Sequence, residues 1–415
     1  MTNRDILLDV IGDTDEELIP VPDRIGKGNR TMIRVFAGVC AAAITLAVVL
    51  PNVIKKDDSG ITQPDVQVSE TTSTVAVKPT EKLNSEGMYG GSMGFAGLMA
   101  YDISELDTPS PWRSDMQIEN MPVYRNLAYT GESAAFICVG LGQEKMAEMA
   151  QQTADALGKE IEETTITYAG DFLADTRSEK FRDEVFTYEA KCSDNTSVTV
   201  YGNGRIFVAP GESVPLPSGY SFTYSGTTAE EADRTLDYLA KKYSALLGYE
   251  DPVCYSVADR TFSGDESRSY YVYDKAEDSV QDIFNFGISY AEFCPDDNGN
   301  LMCIWIYRPV AYEYIADYPV ISEKQARKML TDGRFYSSVP TDYLRGGRVS
   351  DGDIERADLV YQNMGGEHLQ PYYRYYIRLD DSSFSMAKGL HNYGIFYVPA
   401  VDEEYLDEPP VSVYD

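Results

Sequence analysis

The sequence predicts an α+β protein. A single N-terminal transmembrane helix is followed by an extracytoplasmic ectodomain of two or three units, each a helix plus antiparallel sheet. Three observations predict it. A run of 20 residues near the N-terminus, "VFAGVCAAAITLAVVLPNVI", carries no charge. Three later segments repeat apolar residues at helical spacing and end on glycine. After each of them come short runs rich in Tyr, Val and Ile, the composition of strands.

The first element, residues 1–31, is read as a cytoplasmic segment. In "DILLDVIGDTDEELIP" (5–20), Ile6, Leu7, Val10 and Ile11 form one helical stripe that Gly12 ends. Thr14 with Glu17 can cap a second short turn that stops at Pro20. A helix so short is marginal alone in water, so the stripe is expected to need a partner to order it. A frayed tail is the alternative.

The transmembrane helix is placed at 32–54. At ~1.5 Å per residue the uncharged run spans a hydrocarbon core of about 30 Å. A secretory leader has a shorter apolar core and a small-residue cleavage site at its end, whereas Ala41, Ala42 and Ala43 sit inside this run. Arg24, Lys27, Arg30 and Arg34 precede the span, and only Lys55 and Lys56 follow it closely. That asymmetry puts the N-terminus in the cytoplasm. Residues 1–56 hold seven acids and seven bases, so the whole formal charge of −32 falls on residues 57–415. Such a surface repels nucleic acid and anionic lipid, and neither is expected as a partner.

A flexible linker is expected over 55–88, polar and without an apolar period; it reaches ~30 Å root-mean-square. Next to it, Gly90-Gly91-Ser92-Met93-Gly94 matches the G-x-S-x-G pattern of a hydrolase elbow. That pattern needs a strand before the serine, a helix after it and a histidine to take the proton. The flanks fit neither element, and the chain has two His, His368 and His391. A glycine-rich docking segment is the better reading. No enzyme activity and no cofactor are expected.

The ectodomain is divided into an α+β unit at 89–225, a second at 226–312, a C-terminal unit at 313–402 and an acidic tail at 403–415. Met146, Met149, Ala150, Ala154 and Leu157 face one way in the first helix, with Gly158 as its stop. In the second, Thr228 and Glu231 make a capping box ahead of the stripe Ala232, Leu236, Leu239, Ala240, Tyr243, Leu246 and Leu247. In the third, Ser322 with Gln325 repeats the cap, and Ala326, Met329 and Leu330 face together. Strands are expected at "TTITYAG", "VFTYEAKC", "SVTVYG" and "GRIFVAP" after the first helix. "SYYVYD", "IFNFGISYAEF" and "LMCIWIYR" follow the second; "RADLVYQN", "PYYRYYIRL" and "YGIFYVPAV" follow the third.

Chemistry-bearing residues are few. In "CPDDNGNLMC" the Asn298-Gly299 pair predicts a two-residue hairpin turn, which sets Cys294 opposite Cys303. A cross-strand disulfide there would contribute ~2–3 kcal/mol on the chain-entropy model; a reduced pair in an anaerobic setting is the alternative. The "DDNGN" turn lacks the glycine and distal Glu of a calcium loop, and no metal site is expected. In "PYYRYYIRL", alternation puts Tyr372, Arg374, Tyr376 and Arg378 on one face, a combination that suits peptide, glycan or protein recognition. The alternative is that these rings fill core edges and pair across strands.

Four stretches carry a resemblance: "LLDVIGDTDEELI" (7–19), "MGFAGLMAYDISEL…PW" (93–112), "MPVYRNL" (121–127) and "LQPYYRYYIRL…LHNYGIFYVPAV" (369–401). With them the layout resembles a group of uncharacterised single-pass membrane proteins of clostridia-type Gram-positive bacteria, arranged like membrane-bound anti-sigma factors. More remotely, "YPVISEKQARKML", "LVYQ" and "LQPYYR" make the C-terminal part similar to the YycH/YycI type, PepSY-like ectodomain proteins that modulate a histidine kinase. The resemblance implies a membrane-anchored regulatory or sensor protein. Its ectodomain would bind an envelope ligand or protein, and its cytoplasmic stripe would contact a sigma factor or histidine kinase. A cell-surface peptide- or glycan-binding module without signalling output is the alternative.

Overall fold

A computed structural model describes residues 79–84, 97–106, 109–129, 139–172, 182–362, 366–383 and 385–414. Segment 1–31 with Ile6, Leu7, Val10 and Ile11, the expected span at 32–54, most of the 55–88 linker and the glycine-rich 90–94 lie outside those residues. Among the described residues no helix is long and apolar enough to cross a membrane.

Strands and helices are mixed, and the strands pair antiparallel. In chain order the strands are β1 (Gly97–Ala100), β2 (Asn120–Asn126), β3 (Ile161–Tyr168), β4 (Val185–Cys192) and β5 (Ser197–Tyr201). Then come β6 (Ile206–Ala209), β7 (Pro252–Arg260), β8 (Glu266–Asp274), β9 (Tyr290–Pro295) and β10 (Leu301–Ile306). The last are β11 (Tyr312–Pro319), β12 (Ile354–Tyr361), β13 (His368–Leu369), β14 (Pro371–Arg378) and β15 (His391–Pro399). Four helices matter here: α1 (Gln143–Ala156), α2 (Ala229–Lys242), α3 (Ser279–Ile288) and α4 (Glu323–Thr331).

Three sheets result, with strand orders β3-β4-β5-β6-β10-β9-β8-β7, β1-β15-β14-β12 and β11-β2-β13. The first is two meanders of four, each preceded by a helix, joined where β6 pairs with β10. The stretches 89–225 and 226–312 therefore share one sheet instead of each keeping its own. Joining the meanders removes two open strand edges, a physical gain that local sequence pattern does not reveal. β1 and β2, from the first stretch, likewise enter the two smaller sheets.

Helices α1 and α2 cover one face of the large sheet. Met146, Met149 and Ala150 of α1 and Ala232, Leu236 and Leu239 of α2 share a core with Val198, Val200, Val272, Phe293 and Ile304. The Thr228–Glu231 and Ser322–Gln325 capping boxes both form. Gly158 and Gly248 take positive φ (67° and 68°) just past the helical turns they close. α4 packs Ala326, Met329 and Leu330 against one face of the four-stranded sheet, with Tyr373, Tyr375 and Ile377 beneath.

α3 is a departure from the sequence reading, which gives "IFNFGISYAEF" as one strand. Residues up to Ile288 are helical, and the strand begins at Tyr290. A short apolar run reads equally as buried helix or buried strand; here the Asp278 cap decides, its carboxylate accepting from the N–H groups of Val280 and Gln281 at 3.1 and 2.9 Å. The helix serves two cores. Ile283, Phe284 and Ile288 enter the α4 core, while Phe286 packs on Tyr255 and Tyr273 of the large sheet.

Gly287 marks how closely α3 approaches β12. A Cβ added there would lie 2.4 Å from the Tyr361 carbonyl oxygen. Helix propensity alone favours Gly→Ala by about 1 kcal/mol, but the clash is with backbone. Gly287→Ala is expected to lower unfolding free energy by ~1–3 kcal/mol in a urea titration; a gain in stability would show that α3 and β12 are not in this contact.

Candidate functional site

β14 is an inner strand, paired with β12 on one side and β15 on the other. The face expected to recognise a ligand is consequently filled from within. Tyr372 and Tyr376 are 1 % and 4 % exposed. The Tyr372 hydroxyl accepts from Gln370 Nε2 at 2.9 Å, and its ring meets Tyr397 edge-on at 6.2 Å. Arg374 and Arg356 both reach Asp358, at 3.1 and 3.0 Å, and both guanidinium groups lie over the Tyr376 ring, at 5.4 and 5.7 Å. Arg378 binds Asp381 at 2.7 Å, contacts His391 and covers the Tyr393 ring. These four residues do not form an open recognition face. They are a cross-strand network, the alternative the alternation also allowed.

A concave surface lies at the edge of the same sheet. A cleft of about 540 Å³ is lined by Trp112, Arg113 and Ser114, by Glu323 and Arg327 of α4, and by Ile354–Ala357 of β12. That volume falls within the roughly 300–1,000 Å³ of ligand sites. β12 is an edge strand whose later half is approached by α3 at Tyr361, while its first half borders the cleft. Trp112 is anchored edge-on against Tyr373 at 6.0 Å. Arg327 is steadied by Glu323 at 3.0 Å and faces Asp351 at 3.6 Å. Arg113 pairs at 3.3 Å with Asp115, and both side chains are well exposed, so this pair costs little to break. Three guanidinium groups thus meet around one cleft on a chain of net charge −32. "PW" at 111–112 belongs to the stretches that carry the family resemblance, but nothing in the local pattern placed Trp112 beside α4.

The second face of the large sheet is the other unusual surface. It carries Tyr201, Phe207, Trp305, Tyr307, Tyr290, Tyr271 and Tyr255, opposite the residues that meet α1 and α2. Trp305 lies 4.6 Å from Phe207 and 5.7 Å from Tyr201, measured between ring centres. Tyr290 stacks on Tyr307 at 4.3 Å, and Tyr255 on Tyr271 at 5.2 Å. Glu292 stands between the two groups, cross-strand from Tyr271 on one side and Trp305 on the other. Part of it remains exposed, yet the surrounding protein pushes its carboxyl up to about 7. Burial raises the phenol of Tyr307 well above its ordinary value too, as do the neighbouring Tyr290 and Glu292.

Cys294 and Cys303 lie on this face, opposite each other as the turn predicted, but by a different route. Asp296 N–H donates to Asn300 O at 2.8 Å, and Gly299, at φ +79°, donates to Asp296 O at 3.1 Å. The loop therefore holds three residues with glycine in the left-handed position. A shift of register between Leu301 and Cys303 then restores the opposition. Both sulfurs are thiols and buried. Contact with Cys303, followed by burial, pushes the Cys294 thiol well above its ordinary value, so it is a poor nucleophile.

No protein family and no curated protein matches the chain. Among solved structures it is similar to an uncharacterised protein from Eubacterium rectale, with 9 % identity over 68 % of this chain and 84 % of that one. The TM-score is 0.32, and a likeness at that level carries no argument.

The Glu292 environment has a thermodynamic consequence. Its carboxyl titrates near 7 folded, against about 4.3 unfolded, so between those values the folded chain holds the extra proton. Stability contributed by this group falls as pH rises through that window. Glu292→Gln is expected to be more stable than the natural chain at pH 8, with the difference shrinking towards pH 4.5. Urea midpoints at the two pH values check it, and a pH-independent difference would contradict it.

Proposed function

We propose that the chain is a membrane-anchored regulatory protein. Its folded domain takes an extended acidic peptide into the Trp112–Arg113–Arg327 cleft, along the open half of β12. Its N-terminal segment, through Ile6, Leu7, Val10 and Ile11, carries the state of that domain to a cytoplasmic sigma factor or histidine kinase. The single observation behind the ligand class is the cleft itself. It combines a strand edge partly left uncovered, a tryptophan platform and two guanidinium groups not committed to the sheet, Arg113 and Arg327, on a chain whose remaining charge is strongly negative. Extended peptides add to sheet edges through their backbones, and guanidinium groups bind carboxylates in planar pairs. The anchor, its orientation and the cytoplasmic partner rest on the uncharged run at 35–54, its basic flank and the resemblance of the layout.

Two experiments test the two ends. A library of acidic peptides displayed against the full-length chain is expected to yield binders that Arg327→Glu weakens by tenfold or more, about 1.4 kcal/mol, since the variant sets a like charge against the ligand's carboxylates. Binders indifferent to Arg327→Glu would move the site elsewhere. With residues 1–31 as bait, a transcription or kinase component is expected to be retained, and Val10→Asp should release it. If replacing residues 1–23 by a neutral linker leaves cellular function intact, the chain is instead a surface-binding module without output.

A further inference from the structure

The carboxylate of Glu292 presents an unsolved problem in the fold. It lies in the middle of the large sheet on a face built from aromatic rings. Among the described residues no hydrogen-bond donor and no cation pairs with it, and burial is what perturbs it. An ionised carboxylate without a partner in such surroundings costs several kcal/mol. Asp358, an acid buried in β12, is by contrast satisfied by two guanidinium groups. Arg205, the guanidinium on the same face as Glu292, is drawn instead over the Tyr307 ring at 5.1 Å.

We propose that the Glu292 recess binds an organic ammonium group, primary or quaternary. Its carboxylate supplies the counter-charge. Tyr271 and Trp305 are its cross-strand neighbours on either side, and Tyr290 and Tyr307 stack on one another on the same face. An ammonium ion is attracted to ring faces within about 6 Å, and most strongly to tryptophan. The remaining ligand classes fit less well. A neutral sugar could stack on the rings but would leave the carboxylate unpaired. A metal would need further donors, and among the described residues no group of three His, Cys, Asp or Glu is placed to hold one. This site uses a different sheet from the β12 cleft, so each stands or falls alone.

Trp305 provides the readout. The chain has two tryptophans; with Trp112→Phe as background, emission in the full-length protein reports on the recess. Choline and n-butylammonium are the probes, and 3,3-dimethyl-1-butanol and n-butanol their neutral counterparts. Saturable change is expected with at least one ammonium probe at about millimolar concentration, the range of a single ion pair with ring contacts. The neutral probes should need at least tenfold more, and Glu292→Gln should weaken the response at least tenfold. Tyr271→Leu, which keeps the carboxylate, should weaken it severalfold, and it decides the matter if Glu292→Gln does not fold. Equal response to neutral probes, a response undiminished by these variants, or no saturable response would overturn the proposal.

Discussion

Eight antiparallel strands with two helices along one face, and only α3 at one end of the other, impose the constraint from which most of this structure follows. α1 and α2 bury Val198, Val200, Val272, Phe293 and Ile304, but the residues alternating with them must be disposed of otherwise. Tyrosine and tryptophan solve this because they stack on one another while keeping a polar edge for water. The row from Tyr201 to Tyr255 is that solution, and it leaves Glu292 among aromatic neighbours, with Tyr271 and Trp305 cross-strand from it. α3 handles one end of the same face by placing Phe286 against Tyr255 and Tyr273. Its opposite side reaches the α4 core, so the helix couples the two larger sheets, and Gly287 sets the distance.

The four-stranded sheet answers the same problem with charge. Asp358, almost fully buried, is held by Arg356 and Arg374, and Tyr376 lies under both guanidinium groups. Such a network contributes little net stability compared with apolar packing of equal volume, but removing one member strands the others. It spends Arg356 and Arg374 on structure and leaves Arg113 and Arg327 as the guanidinium groups that can turn to a ligand at the cleft. In that sense the packing of one strand face prepares the chemistry at the neighbouring edge.

What was legible in the sequence was local. The helix stripes, both capping boxes and the strands at 185–192 and 371–378 follow from periodicity and short-range hydrogen bonding alone. Cys294 opposite Cys303 was legible as well, although the turn has one residue more than expected and a later shift compensates. The pairing of β6 with β10 was not, because it joins strands some 95 residues apart and depends on which edges remain open. Nor was the burial of Tyr372 and Tyr376, or the pairing of Arg374 and Arg378 within the sheet. Alternation assigns residues to a face but does not say whether another layer covers it. The Glu292 recess left one faint trace, a single acid alternating with Tyr290 and Cys294 in a strand otherwise apolar.

The large sheet has one dry face, under α1 and α2, and one that solvent still reaches in part. Hydroxyl-radical footprinting of the folded, full-length chain tests this residue by residue. Trp305, Tyr290 and Tyr271, each partly exposed, should be oxidised in the folded chain, while Tyr270 and Phe293, on the same strands or their neighbours but turned towards α1 and α2, should be protected until the protein unfolds. Equal protection of the two sets would contradict the account, because the aromatic face would then be as deeply covered as the helical one.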